Sequence, residues 1–283
     1  MNINWFPGHM SKSMRMMSGD IKLVDVVIYV LDSRAPYSCL NPEFDKLTAG
    51  KPVIYVLNKA DLGAENRLKL WIEKLSGSRS LAVTAVGTTS GSANAIASAA
   101  KRLCGGKLDK YRNKGVKTTI RAMVIGVPNC GKSTIINCLC RSSKTVTGNK
   151  PGVTRGKQWV KVNDYFEVLD TPGTLYPKLT DQTVAKRLAF IGSIRDEVVD
   201  IFELALAFVD EINAYDESLL ASRYSVDKKM SGEEFLEAAA RRRGFILKGG
   251  VIDTERMASA LLDDFRKGRL GKITLESADD YDI

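Results

Sequence analysis

The stretch 126–133 reads GVPNCGKS, a complete GxxxxGK[ST] pattern, and it falls between an apolar run and a helix-capable segment. No other feature narrows the possible folds as far. The pattern works only where a strand ends, a glycine-bearing loop turns its N–H groups inward, and a helix begins whose N-terminus adds partial positive charge. Pro128, Asn129, Cys130, Gly131, Lys132, Ser133 and Thr134 are therefore expected to wrap the phosphates of a nucleotide. Lys132 would reach the β- and γ-phosphates, and the Ser133 hydroxyl would ligate Mg²⁺.

The surrounding sequence supplies a sheet for that loop. Residues 24–31 (VDVVIYVL), 53–57 (VIYVL), 80–84 and 119–127 read as buried strands, with helices expected over 64–75, 93–103 and 132–140. Residues 158–162 and 165–169 read as two strands joined by Asn163-Asp164, an antiparallel step in an otherwise parallel pattern. Beyond residue 177 the period becomes helical, over 183–199, 200–213, 216–224, 232–243 and 254–267. Ser231 and Glu234 have capping-box spacing, and Asp253 reads as an N-cap. The acidic residues 276–283 are expected to fray. The division expected is a mostly parallel α/β domain over 1–177 with helices on both faces, then a smaller all-α domain over 178–283.

Two more motifs stand at strand ends. In DTPG (170–173), Asp170 suits Mg²⁺ through water, and the Gly173 N–H can sense a γ-phosphate. In NKAD (58–61), Asp61 offers two acceptors that match the N1–H and N2–H₂ donors of guanine; adenine has no such pair. Asn58 and Lys59 would brace the loop and cover the base, and Thr84 with Ala85 fits a short backbone contact to guanine O6. GTP is thereby favoured over ATP. In most GTPases the phosphate loop comes first and the guanine motif last. Here 58–61 and 84–85 precede 126–133, and Thr154 and 170–173 follow, so the order is circularly permuted.

In that order the chain resembles the circularly permuted GTPases of the YlqF/YawG family. The likeness covers nearly the whole chain, including WFPGHM (5–10), DSRAP (32–36), PGVTR (151–155) and the helical C-terminal part. It implies a P-loop GTPase that is slow alone and stimulated by a ribosomal particle. It also implies binding of GTP and GDP, and a role in assembling the large ribosomal subunit. Such a factor engages precursor particles and rRNA in the GTP state, is released on hydrolysis, and works as a cytoplasmic monomer with no membrane partner.

Thr154 is similar to the switch threonine that completes the Mg²⁺ shell. Asn129 resembles the asparagine that helps hold K⁺, whose charge would stabilise the transition state. Thr174 stands where many GTPases carry a water-orienting glutamine and where the family carries an apolar residue. Its hydroxyl is short for that task and is given no role. The sole histidine, His9, is the family's candidate for positioning the attacking water. The family's helical domain binds RNA, which singles out Arg241, Arg242 and Arg243, followed by Phe245.

Composition bears mainly on partners. The net charge of +9 over 283 residues suggests a polyanion. Residues 1–177 hold 26 Lys/Arg against 12 Asp/Glu, and residues 178–283 hold 16 against 21. Positive charge concentrates in 101–121, with eight basic residues and one acid, and in 141–161, with six and none. Both runs are expected to be loops. The five cysteines show no CxxC pairing, which argues against structural zinc and for a reducing compartment. No apolar run is long enough for a membrane helix. Two other readings stay open. A P-loop ATPase or small-molecule kinase shares the phosphate loop but has no use for 58–61. An RNA-binding protein could carry a nucleotide site that is only structural.

Overall fold

The alternation of apolar runs with amphipathic segments builds one six-stranded sheet in a computed structural model that describes residues 3, 8–141, 159–175 and 180–282. The strands are β1 (Val26–Asp32), β2 (Val53–Asn58), β3 (Ser80–Ala85), β4 (Ile120–Ile125), β5 (Trp159–Asn163) and β6 (Phe166–Asp170). Their spatial order is β3-β2-β1-β4-β6-β5, with every neighbouring pair parallel except β5–β6. Every residue of β1 is buried, so both faces of the sheet are covered there. From β1 the chain builds outward through β2 to β3 and then crosses back to place β4 on the other side of β1, so the strand order reverses between β1 and β4. Register pairs Asp32 with Asn58, Asn58 with Ala85, and Val124 with Asp170, so the motif-bearing strand ends form one row.

Five helices accompany the sheet: α1 (Gly8–Asp20), α2 (Pro42–Thr48), α3 (Glu65–Leu75), α4 (Ser90–Arg112) and α5 (Lys132–Arg141). The sequence pattern did not reveal α1 or α2. The second is started by local chemistry, with Pro42 in its first turn and the Asn41 side chain accepting from Glu43 N at 3.0 Å. The expectation of a loop from residue 101 is corrected, because α4 continues to Arg112. Cys104 is buried, and Lys107 Nζ donates to Asp25 Oδ2 at 2.7 Å and to Thr119 O at 3.0 Å. Lys110 and Arg112 in the last turn suit the helix dipole.

The second unit holds α6 (Gln182–Phe190), α7 (Ile201–Asp216), α8 (Ser218–Tyr224), α9 (Gly232–Arg243) and α10 (Thr254–Arg266). The single helix expected over 183–199 ends early at Gly192 (φ +77°), where Gly192 N donates to Ala189 O and Ser193 N to Leu188 O in a Schellman closure. The Ser231–Glu234 capping box and the Asp253 cap both form. Phe190, Phe208 and Phe265 pack ring against ring at 5.0 and 4.8 Å. Beside them the buried Asp264 carboxylate accepts from Arg223, Tyr224, Arg243 and Arg269. Burial works to raise this carboxyl, but the hydrogen bonds outweigh it and hold the group below its ordinary value.

The tail departs most from expectation. Contacts group Glu276–Ile283 with Phe6–Pro177, and Met1–Trp5 with Lys178–Leu275. Glu276 is 1 % exposed, and its carboxylate accepts from Tyr37 N at 2.6 Å, Ser38 N at 3.2 Å and the Ser38 hydroxyl. Trp71 Nε1 donates to Glu276 O, and Tyr281 stacks on Tyr37 with ring centroids 3.7 Å apart. The expectation of fraying is therefore corrected over its described residues. With these four acids on the sheet-bearing unit, the helical unit holds 16 basic and 17 acidic residues and is close to neutral.

Candidate nucleotide site

The phosphate loop is shaped by three residues with positive φ. At Gly126 (φ +150°) a Cβ would lie 2.5 Å from Val30 O, so only glycine lets β4 leave the sheet this close to β1. Asn129 (φ +57°) and Gly131 (φ +97°) curl the rest of the loop, and a Cβ at Gly131 would collide with Asn58 Nδ2. Lys132, 7 % exposed, opens α5 and donates its Nζ to Val127 O at 2.8 Å. The DTPG turn presses on this loop. A Cβ at Gly173 would sit 2.6 Å from Lys132 Nζ and 2.9 Å from Pro128 Cα, and Thr174 N donates to Gly126 O at 3.3 Å. Thr171 Oγ1 bonds Val124 O, which fixes the turn to β4. Burial raises the Asp170 carboxyl above its ordinary value, against the pull of Lys132.

The guanine motif is tied to the same loop. Asn58 Nδ2 donates to Cys130 O at 2.9 Å. Lys59 (φ +57°) sends its Nζ to Asn129 O at 2.9 Å and to Asp32 Oδ2 at 2.8 Å. Asp32 in turn takes a bidentate pair from Arg34, Nε to Oδ1 at 2.8 Å and Nη2 to Oδ2 at 2.7 Å. Burial would raise the Asp32 carboxyl, but Arg34 and Lys59 together hold it down at about 2. Asp61 stands exposed in the turn over 60–62, as a carboxylate that reads a base must. Thr84 is exposed and Ala85 buried at the end of β3. The loop beyond is pinned by Val86 N to Ser92 Oγ at 2.9 Å and by Thr89 Oγ1 to Val86 O at 3.0 Å. A Cβ at Gly87 would lie 2.7 Å from Thr134 Cγ2, so this loop touches the first turn of α5.

The structure thus brings Asn58, Lys59, Asp61, Thr84, Ala85, residues 128–134, Asp170 and Gly173 to one end of the sheet. Sequence reasoning noted Asp32 and Arg34 only as part of DSRAP, with no role, and missed Gly87 and Ser92. A D-x-R at a strand end is a weak signal for the first two, since a buried acid there needs a counter-charge. Thr154 lies outside the described residues. His9 falls in the first turn of α1, and α1 lies against the segment after Gly173. Met10 Sδ accepts from Leu175 N at 3.4 Å, and Thr174 Oγ1 bonds Met14 Sδ at 3.7 Å. The Thr174 hydroxyl is accordingly engaged with α1.

Arg241, Arg242 and Arg243 stand on α9 in the helical unit. Arg243 is taken up by Asp264 at 2.7 Å and by the Tyr224 ring at 4.8 Å, and Arg241 pairs with Glu237 at 2.7 Å. Arg242 is exposed.

Among the described residues no group of three His, Cys, Asp or Glu could hold a metal by itself. The hard oxygen donors Ser133 and Asp170 instead fit Mg²⁺, which takes one or two protein oxygens and fills its shell with phosphate and water. No helix of the described residues is long and apolar enough to cross a membrane.

With the phosphate loop after the fourth strand and the NKAD turn upstream of it, the protein is a P-loop GTPase of circularly permuted connectivity. Residues 121–233 match a family described as "50S ribosome-binding GTPase". Ribosome biogenesis GTPase A of Bacillus cereus is 38% identical over 283 residues, covering 99% of this chain and 96% of that protein. The protein of the same name from Thermotoga maritima is 32% identical, over 98% and 95%. A GDP-bound YlqF structure superposes with TM-score 0.68 at 28% identity, covering 94% of this chain and 100% of that one. GNP-bound YlqF from T. maritima gives 0.66 at 27%, over 95% and 100%. The chain belongs to the ribosome biogenesis GTPase A family, a GTP-hydrolysing group, as its motif order implied.

Proposed function

We propose that this ribosome biogenesis GTPase works as a timer in assembly of the large ribosomal subunit. It engages precursor particles and their rRNA with GTP bound and leaves after hydrolysis. The observation that carries this reading is the packing of Gly173 on Lys132 and Pro128, with the next residues, Thr174 and Leu175, bonded to Gly126 and α1. A γ-phosphate arriving at Gly173 meets this contact directly, and the sequence enters the helical unit at residue 178. The carbonyl that Lys132 now holds is exchanged for phosphate oxygens when nucleotide binds. Asp61 reads guanine, with Asn58 and Lys59 fixing its loop to the phosphate loop.

Ser133 and Asp170, joined by Thr154, would hold Mg²⁺, which would neutralise phosphate charge. Asn129 would help hold K⁺, whose charge would stabilise the transition state. His9 positions the attacking water, and the precursor particle completes that arrangement. Arg241 and Arg242 are the RNA contacts of the helical unit.

The test is GTP turnover measured with and without large-subunit precursor particles. Stimulation by particles is expected, and its absence contradicts the timer. His9→Ala should leave GTP affinity unchanged and lower particle-stimulated turnover about a hundredfold, the low end for loss of a group that assists proton transfer. Unchanged stimulated turnover removes His9 from the mechanism. Replacing K⁺ by Na⁺ should slow hydrolysis severalfold; equal rates exclude the ion at Asn129.

A further inference from the structure

The half of α4 that was expected to be a loop lines a broad cleft at the end of the sheet away from the nucleotide motifs. It has a volume of about 1190 Å³, opens to solvent, and runs along α4 from Lys101 to Arg112, facing residues 115–118 and the β5–β6 turn. Lys101, Arg102, Arg112 and Lys117 all line it and are all exposed. Among the described residues none of the four makes an ion pair, whereas Lys107 is spent on Asp25 and Lys161 on Asp164. Only Asp109 opposes them inside the cleft without a cation of its own.

Two further observations narrow the occupant. Gly105 and Gly106 stand together in the middle of this helix, where each disfavours the helix by roughly 1 kcal/mol relative to alanine. An added Cβ at either would meet nothing within 4 Å, so no packing within the chain explains them. They leave the helix backbone bare on the side where Gly105 lines the cleft. The half-buried Tyr165 lies on the opposite wall.

The span decides between a small anion and a polymer. Lys101 and Arg112 are eleven residues apart on the helix, or about 16 Å at 1.5 Å per residue. One phosphate cannot serve both ends, whereas a nucleic-acid strand presents several phosphates over that length. An aromatic side chain beside unpaired cations also matches the way single strands are held, by stacking and backbone charge.

We infer that this cleft is a docking track for a single-stranded stretch of RNA, with its phosphates along Lys101, Arg102, Arg112 and Lys117 and a base near Tyr165. The inference rests on the assembly-factor reading and adds to it a surface on the GTPase unit.

The test is a triple variant, Lys101→Gln, Arg102→Gln and Arg112→Gln, compared with a variant that removes equal charge elsewhere, Lys46→Gln, Lys69→Gln and Lys74→Gln. Each is titrated, with a GTP analogue bound, against large-subunit precursor particles and against protein-free rRNA over a series of salt concentrations. GTP affinity, intrinsic hydrolysis and thermal unfolding should stay at wild-type values in both. The cleft variant should lose about tenfold or more in affinity for both ligands, and its salt slope should shrink by two to three, near 0.7 to 0.9 per lost phosphate contact. Equal losses in both variants would overturn the track in favour of diffuse attraction. Loss for particles with no loss for free rRNA would overturn it in favour of a ribosomal protein. Wild-type protein that bound neither ligand would overturn the assembly reading itself, and this surface with it.

Discussion

Exchange of Asp61 for asparagine is expected to weaken GTP binding by roughly two to three powers of ten while creating affinity for xanthosine triphosphate. In the proposed role the carboxylate would accept from both guanine donors, and each hydrogen bond to a charged group contributes about 1.5–3 kcal/mol. Loss of both, less what the amide oxygen retains, comes to about 3–4 kcal/mol, and each 1.4 kcal/mol is tenfold. Asparagine presents one acceptor and one donor, the complement of the xanthine edge, which carries an N–H and a carbonyl where guanine carries two donors. Because Asp61 is exposed in its turn, thermal stability should hardly change. Competitive titration of GTP, ATP and xanthosine triphosphate against both proteins reads the effect. An unchanged preference for GTP would remove Asp61 from base recognition and reopen the ATPase reading.

Asp32→Ala should destabilise the protein by about 3–5 kcal/mol, the scale for breaking a buried ion pair by removing one partner. Arg34, 1 % exposed, would be left charged with its carboxylate gone, and Lys59 would keep only the Asn129 carbonyl. The same change should therefore also weaken GTP binding, since Lys59 links the guanine turn to the phosphate loop. Replacing Asp32 and Arg34 together with leucine and methionine should recover much of the stability but not the nucleotide affinity. Denaturant unfolding and GTP titration separate the two effects.

The pH dependence has a defined sign. The folded Asp32 carboxyl is held at about 2 against an ordinary 3.8, so its contribution is complete above 3.8 and is lost as pH falls toward 2. Between about pH 5 and pH 1 the stability gap between wild type and Asp32→Ala should narrow by roughly 2.5 kcal/mol, at 1.36 kcal/mol for each factor of ten in proton affinity. A gap that stayed constant down to pH 2 would show that the carboxylate is not held by Arg34 and Lys59.

What could be read without coordinates divides along a physical line. Five of the strands were legible because each is an apolar run with a motif at its carboxyl end, and β5 because the Asn163-Asp164 turn folds it back on β6. The candidate nucleotide motifs were legible as patterns because each sets residue types at short spacing, and the strand register brings them to one end of the sheet. Features that depend on distant partners were not. The second half of α4 looked like a loop because Gly105 and Gly106 lower its propensity, yet Lys107 is anchored by Asp25, 82 positions away. Glu276 looked like part of a solvated acidic tail, yet its carboxylate is buried on the Tyr37 and Ser38 N–H groups, more than 230 positions back. Arg243 looked free to meet RNA until Asp264 and Tyr224 were found around it. The Asp32–Arg34–Lys59 cluster has two members close in sequence, but only the parallel register of β1 and β2 brings Lys59 to them.

The tail also changes where charge sits. With Glu276, Asp279, Asp280 and Asp282 on the GTPase unit, the helical unit is nearly neutral, so the RNA contact proposed for it would rest on a few exposed arginines. The GTPase unit still carries the basic excess.

Cosedimentation with large-subunit precursor particles, in a GTP analogue, in GDP and without nucleotide, tests the nucleotide timer most directly. The protein should pellet with the particles in the GTP analogue and remain in the supernatant in GDP. Equal pelleting under all three conditions would contradict it.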